Sequence, residues 1–145
     1  MKESKILATA RKELKKGKAG IARALALIER AAKNGDAGAA YALATWFLFG
    51  RHVKKDYSRA VVLLKQAAKE NISEALYDLA VCYEEGTGTP KNEKKAYELY
   101  LRAAVWGDKD SIAEVGRCLF YGIGIRQNRR VARFWLDRAK SLGIS

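Results

Sequence analysis

Leu79-Ala80-Val81-Cys82-Tyr83-Glu84-Glu85-Gly86-Thr87-Gly88 returns 36 positions later as Val115-Gly116-Arg117-Cys118-Leu119-Phe120-Tyr121-Gly122-Ile123-Gly124. Both stretches carry apolar or small residues at helical spacing and close on a pair of glycines. The same step holds outward in both directions. Gly50, Gly86 and Gly122 form one row; Gly35, Asn71, Gly107 and Gly143 form a second. Ala24, Ala60, Ala96 and Ala132 form a third, and Leu7, Leu43, Leu79 and Val115 a fourth. No insertion interrupts the count. A constant step of this size means one supersecondary unit copied in tandem, with neighbouring copies burying a continuous core.

Each unit reads as two helices. In residues 37–72, Ala40, Leu43, Ala44 and Phe47 lie on one helical face, and Gly50 closes the helix. Asp56 stands where an N-cap accepts orphan backbone N–H groups, and Asn92 and Asn128 occupy the same place in later copies. Ala60, Leu63, Leu64, Ala67 and Ala68 make the second stripe, which Asn71 ends in a left-handed conformation. Small residues recur where helices must approach closely: Ala44, Ala80 and Gly116, then Ala60, Ala96 and Ala132. The first unit is degenerate, with Lys15-Lys16-Gly17-Lys18-Ala19-Gly20 in place of the glycine turn. The expectation is one domain, 1–145, divided as 1–36, 37–72, 73–108 and 109–145. Its eight helices fall near 3–16, 19–34, 37–49, 57–70, 73–85, 93–106, 109–121 and 129–142.

These residues resemble the Sel-1-like repeat, a relative of the tetratricopeptide repeat. The resemblance rests on Leu79-Ala80, Tyr83, Gly86 and Gly88, then Asn92, Lys95-Ala96, Arg102-Ala103-Ala104 and Gly107. The fourth unit follows the pattern through Gly122, Gly124, Asn128, Val131-Ala132, Arg138-Ala139 and Gly143, whereas the second loses a loop glycine at His52. The resemblance implies an all-α solenoid, a right-handed superhelix of four such helix pairs. It also implies adaptor, scaffold or regulatory work, and includes bacterial immunity proteins that neutralise a toxin or secreted effector. No active site or cofactor belongs to that expectation.

The chain has 145 residues, is 49% hydrophobic and holds one proline, a composition that permits long helices and a packed core. No apolar run is long enough to span a bilayer. The N-terminus lacks the apolar region of a secretory signal, so a cytoplasmic location is expected. Cys82 and Cys118 occupy one repeat position and are read as buried, reduced thiols. With His52 as the only histidine, zinc coordination and Cys/His catalysis lack partners. Gly86-Thr87-Gly88 and Gly122-Ile123-Gly124 are turns between helices, since a phosphate cradle requires a preceding strand and a third glycine. Glu84 and Glu85 are adjacent on a helix and diverge, unlike paired catalytic carboxylates. No catalytic, metal or cofactor residue is assigned.

The net charge of +12 is unevenly spread: +6 over residues 1–36, +4 over 37–72, −3 over 73–108 and +5 over 109–145. That pattern suits a binding surface for a protein more than a uniform polyanion sleeve. The candidate protein-binding groove is the stripe of first-helix positions left after removing the core. It comprises Tyr41, Thr45, Leu48 and Phe49, then Tyr77, Val81, Glu84 and Glu85, then Arg117, Phe120 and Tyr121. Tyrosine and phenylalanine in exposed stripes favour interfaces, whereas burial by repeat curvature would give them a packing role. A second candidate is the basic patch of Arg126, Arg129, Arg130 and Arg133, whose forks suit carboxylate or phosphate. Trp135, Leu142 and Ile144 are expected to leave apolar surface at the C-terminal end, open to self-association. The expected function is binding of another protein, with an acidic surface, through the groove and the basic residues. Two alternatives stand beside it: an immunity protein against a toxin, and nucleic-acid binding through the arginines.

Overall fold

A computed structural model describes residues 4–144. Eight helices, and no strand among the described residues, make an all-α helical-repeat fold of the solenoid class. They are α1 (Lys5–Leu14), α2 (Lys18–Lys33), α3 (Ala37–Phe49), α4 (Tyr57–Lys69), α5 (Ser73–Glu85), α6 (Glu93–Val105), α7 (Lys109–Tyr121) and α8 (Arg129–Ser141). The expected start of the first helix at residue 3 lies outside the described residues. The packing divides into two compact units, residues 1–70 and 71–145. In the first, α1 packs on α2, α2 on α3 and α3 on α4; in the second, α5 packs on α6, α6 on α7 and α7 on α8.

The caps explain why these helices start and stop where they do. Asp36, Asp56, Asn92, Asp108 and Asn128 each accept a hydrogen bond from the backbone N–H three residues on, at 2.9–3.1 Å. Ser4 does the same for α1 at 3.2 Å, while Gly17 and Ile72 begin α2 and α5 without a side-chain bond. Gly50, Gly86 and Gly122 end the first helices in the left-handed region that a side chain resists. Asn71 and His52 enter that region too, at φ 56° and 60°. His52 thus takes the conformation of Gly88 and Gly124 in its row and lays its ring edge-on to Trp46, centroids 4.7 Å apart.

The cap row offers a direct check. Asn128 is exposed, so replacing it with alanine removes the bond to Val131 N–H and little packing. We expect a loss of about 1 kcal/mol in a urea titration, with Asn128→Asp close to the parent.

The core is built from rows. Ala24, Ala44, Ala60, Ala80, Ala96 and Ala132 are fully buried at 0% exposure, so the small residues do sit where helices meet. A Cβ added at Gly116 would lie 2.7 Å from Leu136 Cδ2, so α7 and α8 touch through a glycine. Leu64, Leu76, Tyr100 and Val115 are the largest apolar side chains sealed within the two units. Cys82 and Cys118 are free and buried, and burial pushes both thiols up to about 11, the reverse of a reactive thiolate. No described helix is long and apolar enough to cross a membrane.

Candidate functional site

The first-helix stripe divides into ends that face solvent and a middle that is occupied. In α3, Tyr41, Thr45 and Leu48 are half-buried, and the Thr45 hydroxyl donates to the Ala42 carbonyl at 2.7 Å. Phe49, at the end of α3, is 60% exposed, with the Arg51 guanidinium 5.6 Å from its ring centre. In α7 the equivalent Tyr121 is 65% exposed and meets Phe120 edge-on at 4.9 Å. Phe120 is half-buried under the Arg129 guanidinium, which lies 4.5 Å from the ring centre. Glu85, the third member of the Phe49 and Tyr121 row, is exposed.

The middle of the second unit's stripe is a closed polar network. Glu84 on α5 accepts from Arg117 Nη2 of α7 at 2.7 Å and from the Tyr100 hydroxyl of α6 at 2.9 Å. Arg117 Nε donates in turn to Glu114 at 2.6 Å. Burial pushes the Glu84 carboxyl up, but the hydrogen bonds from Arg117 and Tyr100 outweigh it and hold the group below its usual range. The same carboxylates, Glu84 foremost, hold Arg117 protonated. Tyr77 meets Tyr100 edge-on at 5.7 Å, and Val81, one turn further along α5, is half-buried. Burial first, then the charges of Glu114 and Asp110, raise the Tyr77 phenol.

Glu84 and Arg117 are therefore bonded to each other, and Glu85, the neighbour of Glu84, is left facing water. Tyr100 and Glu114 complete the site and were not anticipated. Tyr100 stands in a row otherwise filled by Ile28, Leu64 and Leu136, a polar handle in an apolar column; Glu114 sits one helical turn before Arg117. The charges acting on Tyr77 are carboxylates, Glu114 and Asp110 foremost, whereas exposed arginines gather on and just before α8.

There the structure gathers the basic patch. Arg126, Arg129, Arg130 and Arg133 are exposed, and none of them makes an ion pair among the described residues. Arg129, Arg130, Arg133, Phe134 and Asp137 line one surface depression of about 480 Å³. The apolar end differs from expectation. Trp135, Leu142 and Ile144 are half-buried, and the Ile144 N–H bonds the Ala139 carbonyl at 2.9 Å. Phe134 at 74%, Val131 at 38% and Leu136 at 36% carry the exposure instead. The reason is helical phase: Trp135 shares the half-buried row of Leu27, Leu63 and Leu99, while Phe134 shares the outward row of Ala26, Val62 and Glu98.

The remaining motifs take packing roles. The N–H groups of Thr87 and Ile123 bond the carbonyls of Cys82 and Cys118 at 2.9 Å, so these glycine loops close helices. Among the described residues no group of three His, Cys, Asp or Glu side chains is placed to hold a metal ion. No buried side-chain polar atom among them lacks a hydrogen-bond partner.

The Sel1 repeat family matches residues 16–36, 37–72, 73–104 and 109–144. Among solved structures, the chain is similar to a protective antigen of uropathogenic Escherichia coli strains displaying an SLR fold. The TM-score is 0.87 at 26% identity, covering 95% of this chain and 30% of that one. A Sel1 repeat protein from Oxalobacter formigenes gives 0.78 at 30% identity, over 83% of this chain and 35% of the other. Helicobacter pylori cysteine rich protein B shares the fold, with a TM-score of 0.65 at 21% identity, over 88% of this chain and 91% of that one. The chain spans about a third of the length of the first two. No curated protein matches it.

Proposed function

The chain belongs to the Sel1 repeat family, and from that premise we propose that it is a non-catalytic module that binds another protein through its first-helix face. Proteins of this family generally mediate protein–protein interactions and typically act as scaffolds without catalysis. One observation carries the reading to particular residues. Phe49 and Tyr121 occupy the same repeat position, at 60% and 65% exposure, with no share in the core. Large aromatic side chains left in water at a repeated position are suited to burial in a partner, since they give contact area for few rotatable bonds. The Glu84–Arg117–Glu114 network supports this by fixing α5 against α7 and keeping their spacing constant while a partner docks.

The test is capture of a partner from native lysate by the parent chain and by Phe49→Ala/Tyr121→Ala. We expect a protein retained by the parent and lost from the double variant, with helicity by circular dichroism unchanged. Retention that survives the double substitution would remove this face from the reading.

A further inference from the structure

Two adjoining depressions between α2 and α4, both internal to the chain, form one trough with two chemical parts. The first, of about 480 Å³, is bounded by Lys54, Lys55 and Arg59 at the head of α4 and by Leu25 and Glu29 of α2. The second, of about 560 Å³, has Leu43 and Phe47 for a floor and Val62 and Leu63 along its α4 wall. Glu29, Phe47 and Arg59 line both, so the two are continuous. Lys33 and Gln66 line only the second part, where the Gln66 side-chain amide donates to the Ala32 carbonyl at 2.6 Å and ties α4 to α2.

The charge of the trough is unbalanced. Lys33, Lys54, Lys55 and Arg59 are exposed, and none makes an ion pair among the described residues. Of the two carboxylates near them, Asp56 caps α4 by accepting from the Arg59 N–H at 3.1 Å, which leaves Glu29. The Arg59 guanidinium is held 5.2 Å from the centre of the Phe47 ring, where the polar part meets the apolar one. Cations therefore stand at both ends, with an apolar stretch between. From Arg59 to Gln66 is about 10 Å along α4, the reach of about three or four extended residues.

The second unit shows that the repeat itself does not require this chemistry. There Leu79, Tyr83, Lys95 and Leu99 stand for Leu43, Phe47, Arg59 and Leu63, but Glu98 replaces Val62 and Arg102 replaces Gln66. That depression is smaller, at about 330 Å³, and its middle is charged. Val62 is 66% exposed and takes no part in the core, so packing does not call for an apolar residue at its position.

We infer that the trough between α2 and α4 docks an acidic segment of a partner protein, with leucine-sized side chains set between carboxylates. The apolar side chains cover Val62 and Leu63; the carboxylates meet Lys54, Lys55 and Arg59 at one end and Lys33 at the other. Glu29 disfavours a carboxylate in the middle and so sets the spacing. A nucleic acid fits less well, because its charge is continuous and would meet Glu29 and Val62. Phe49 and Tyr121 line neither depression, so this surface goes beyond the first-helix reading and stands or falls apart from it.

Fluorescence anisotropy with the full chain tests it, the probe being a labelled peptide with two leucines between pairs of glutamates. The parent should bind the probe, and added salt should weaken binding. Lys54→Glu/Lys55→Glu should weaken it about tenfold or more, and so should Val62→Glu, which copies Glu98 of the second unit. Circular dichroism of these variants should match the parent, since all three side chains are exposed. Phe49→Ala/Tyr121→Ala should bind the probe as the parent does, which separates a failure here from a failure of the first-helix face. The inference is overturned if the parent does not bind the probe, or if either trough variant binds as tightly as the parent. It is equally overturned if a peptide with lysine for glutamate or serine for leucine binds as well as the probe, or if a single-stranded RNA oligonucleotide binds more tightly.

Discussion

Gly124→Ala should cost this protein roughly 2–5 kcal/mol, one of the two largest single-site losses we expect. Two effects add. The backbone at Gly124 has φ 69°, which a side chain resists. An added Cβ there would also collide with the carbonyl oxygen of Glu93, at the start of α6. A flexible side chain could step aside; a carbonyl inside a capped first turn cannot. The α7–α8 turn would have to lift off α6, weakening the contact between successive helix pairs. Gly107→Ala is the control, because its φ is 98° with nothing within 4 Å of the added atom. That variant should lose only about 1 kcal/mol. Urea midpoints for the pair measure the difference, and equal losses would mean that the turn does not bear on α6 as described.

Tyr100→Ala should be comparably damaging, at roughly 3–5 kcal/mol. The ring is 2% exposed, stands edge-on to Tyr77, and its hydroxyl donates to Glu84. Tyr100→Phe separates the two contributions, since it keeps the ring and removes the donor. About 1–2 kcal/mol is expected for that change, because Arg117 still satisfies Glu84. If the two variants were equally destabilised, the hydrogen bond rather than the ring would dominate, and the packing account of this row would fail.

The helices were legible because their ends are chemical signals. Residues 37–49, 73–85 and 109–121 match α3, α5 and α7 residue for residue, each stopped by a glycine. α4, α6 and α8 end one residue earlier than expected, where no side chain marks the last turn. Ser4, which caps α1, lay in a degenerate unit that offered no row for comparison. The site was less legible for a different reason. Arg117 and Glu84 are 33 residues apart, and Arg129 meets Phe120 across a turn. Those pairings depend on the rotation of one helix against another, which periodicity within a helix does not encode. None of the stripe's residues is among the buried core, but the spacing was silent about which of them bond each other.

Asn128 carries a consequence of its own. Its side chain opens α8 by accepting from Val131, while its backbone N–H closes α7 by donating to the Leu119 carbonyl at 2.8 Å. Asp56 and Asn92 make the same double attachment to Phe47 and Tyr83. Each such residue is a shared hinge pin, so unwinding at the tail of one helix loosens the head of the next. Fraying cannot stay confined to one rod: the smallest piece free to open and reclose is the whole hairpin.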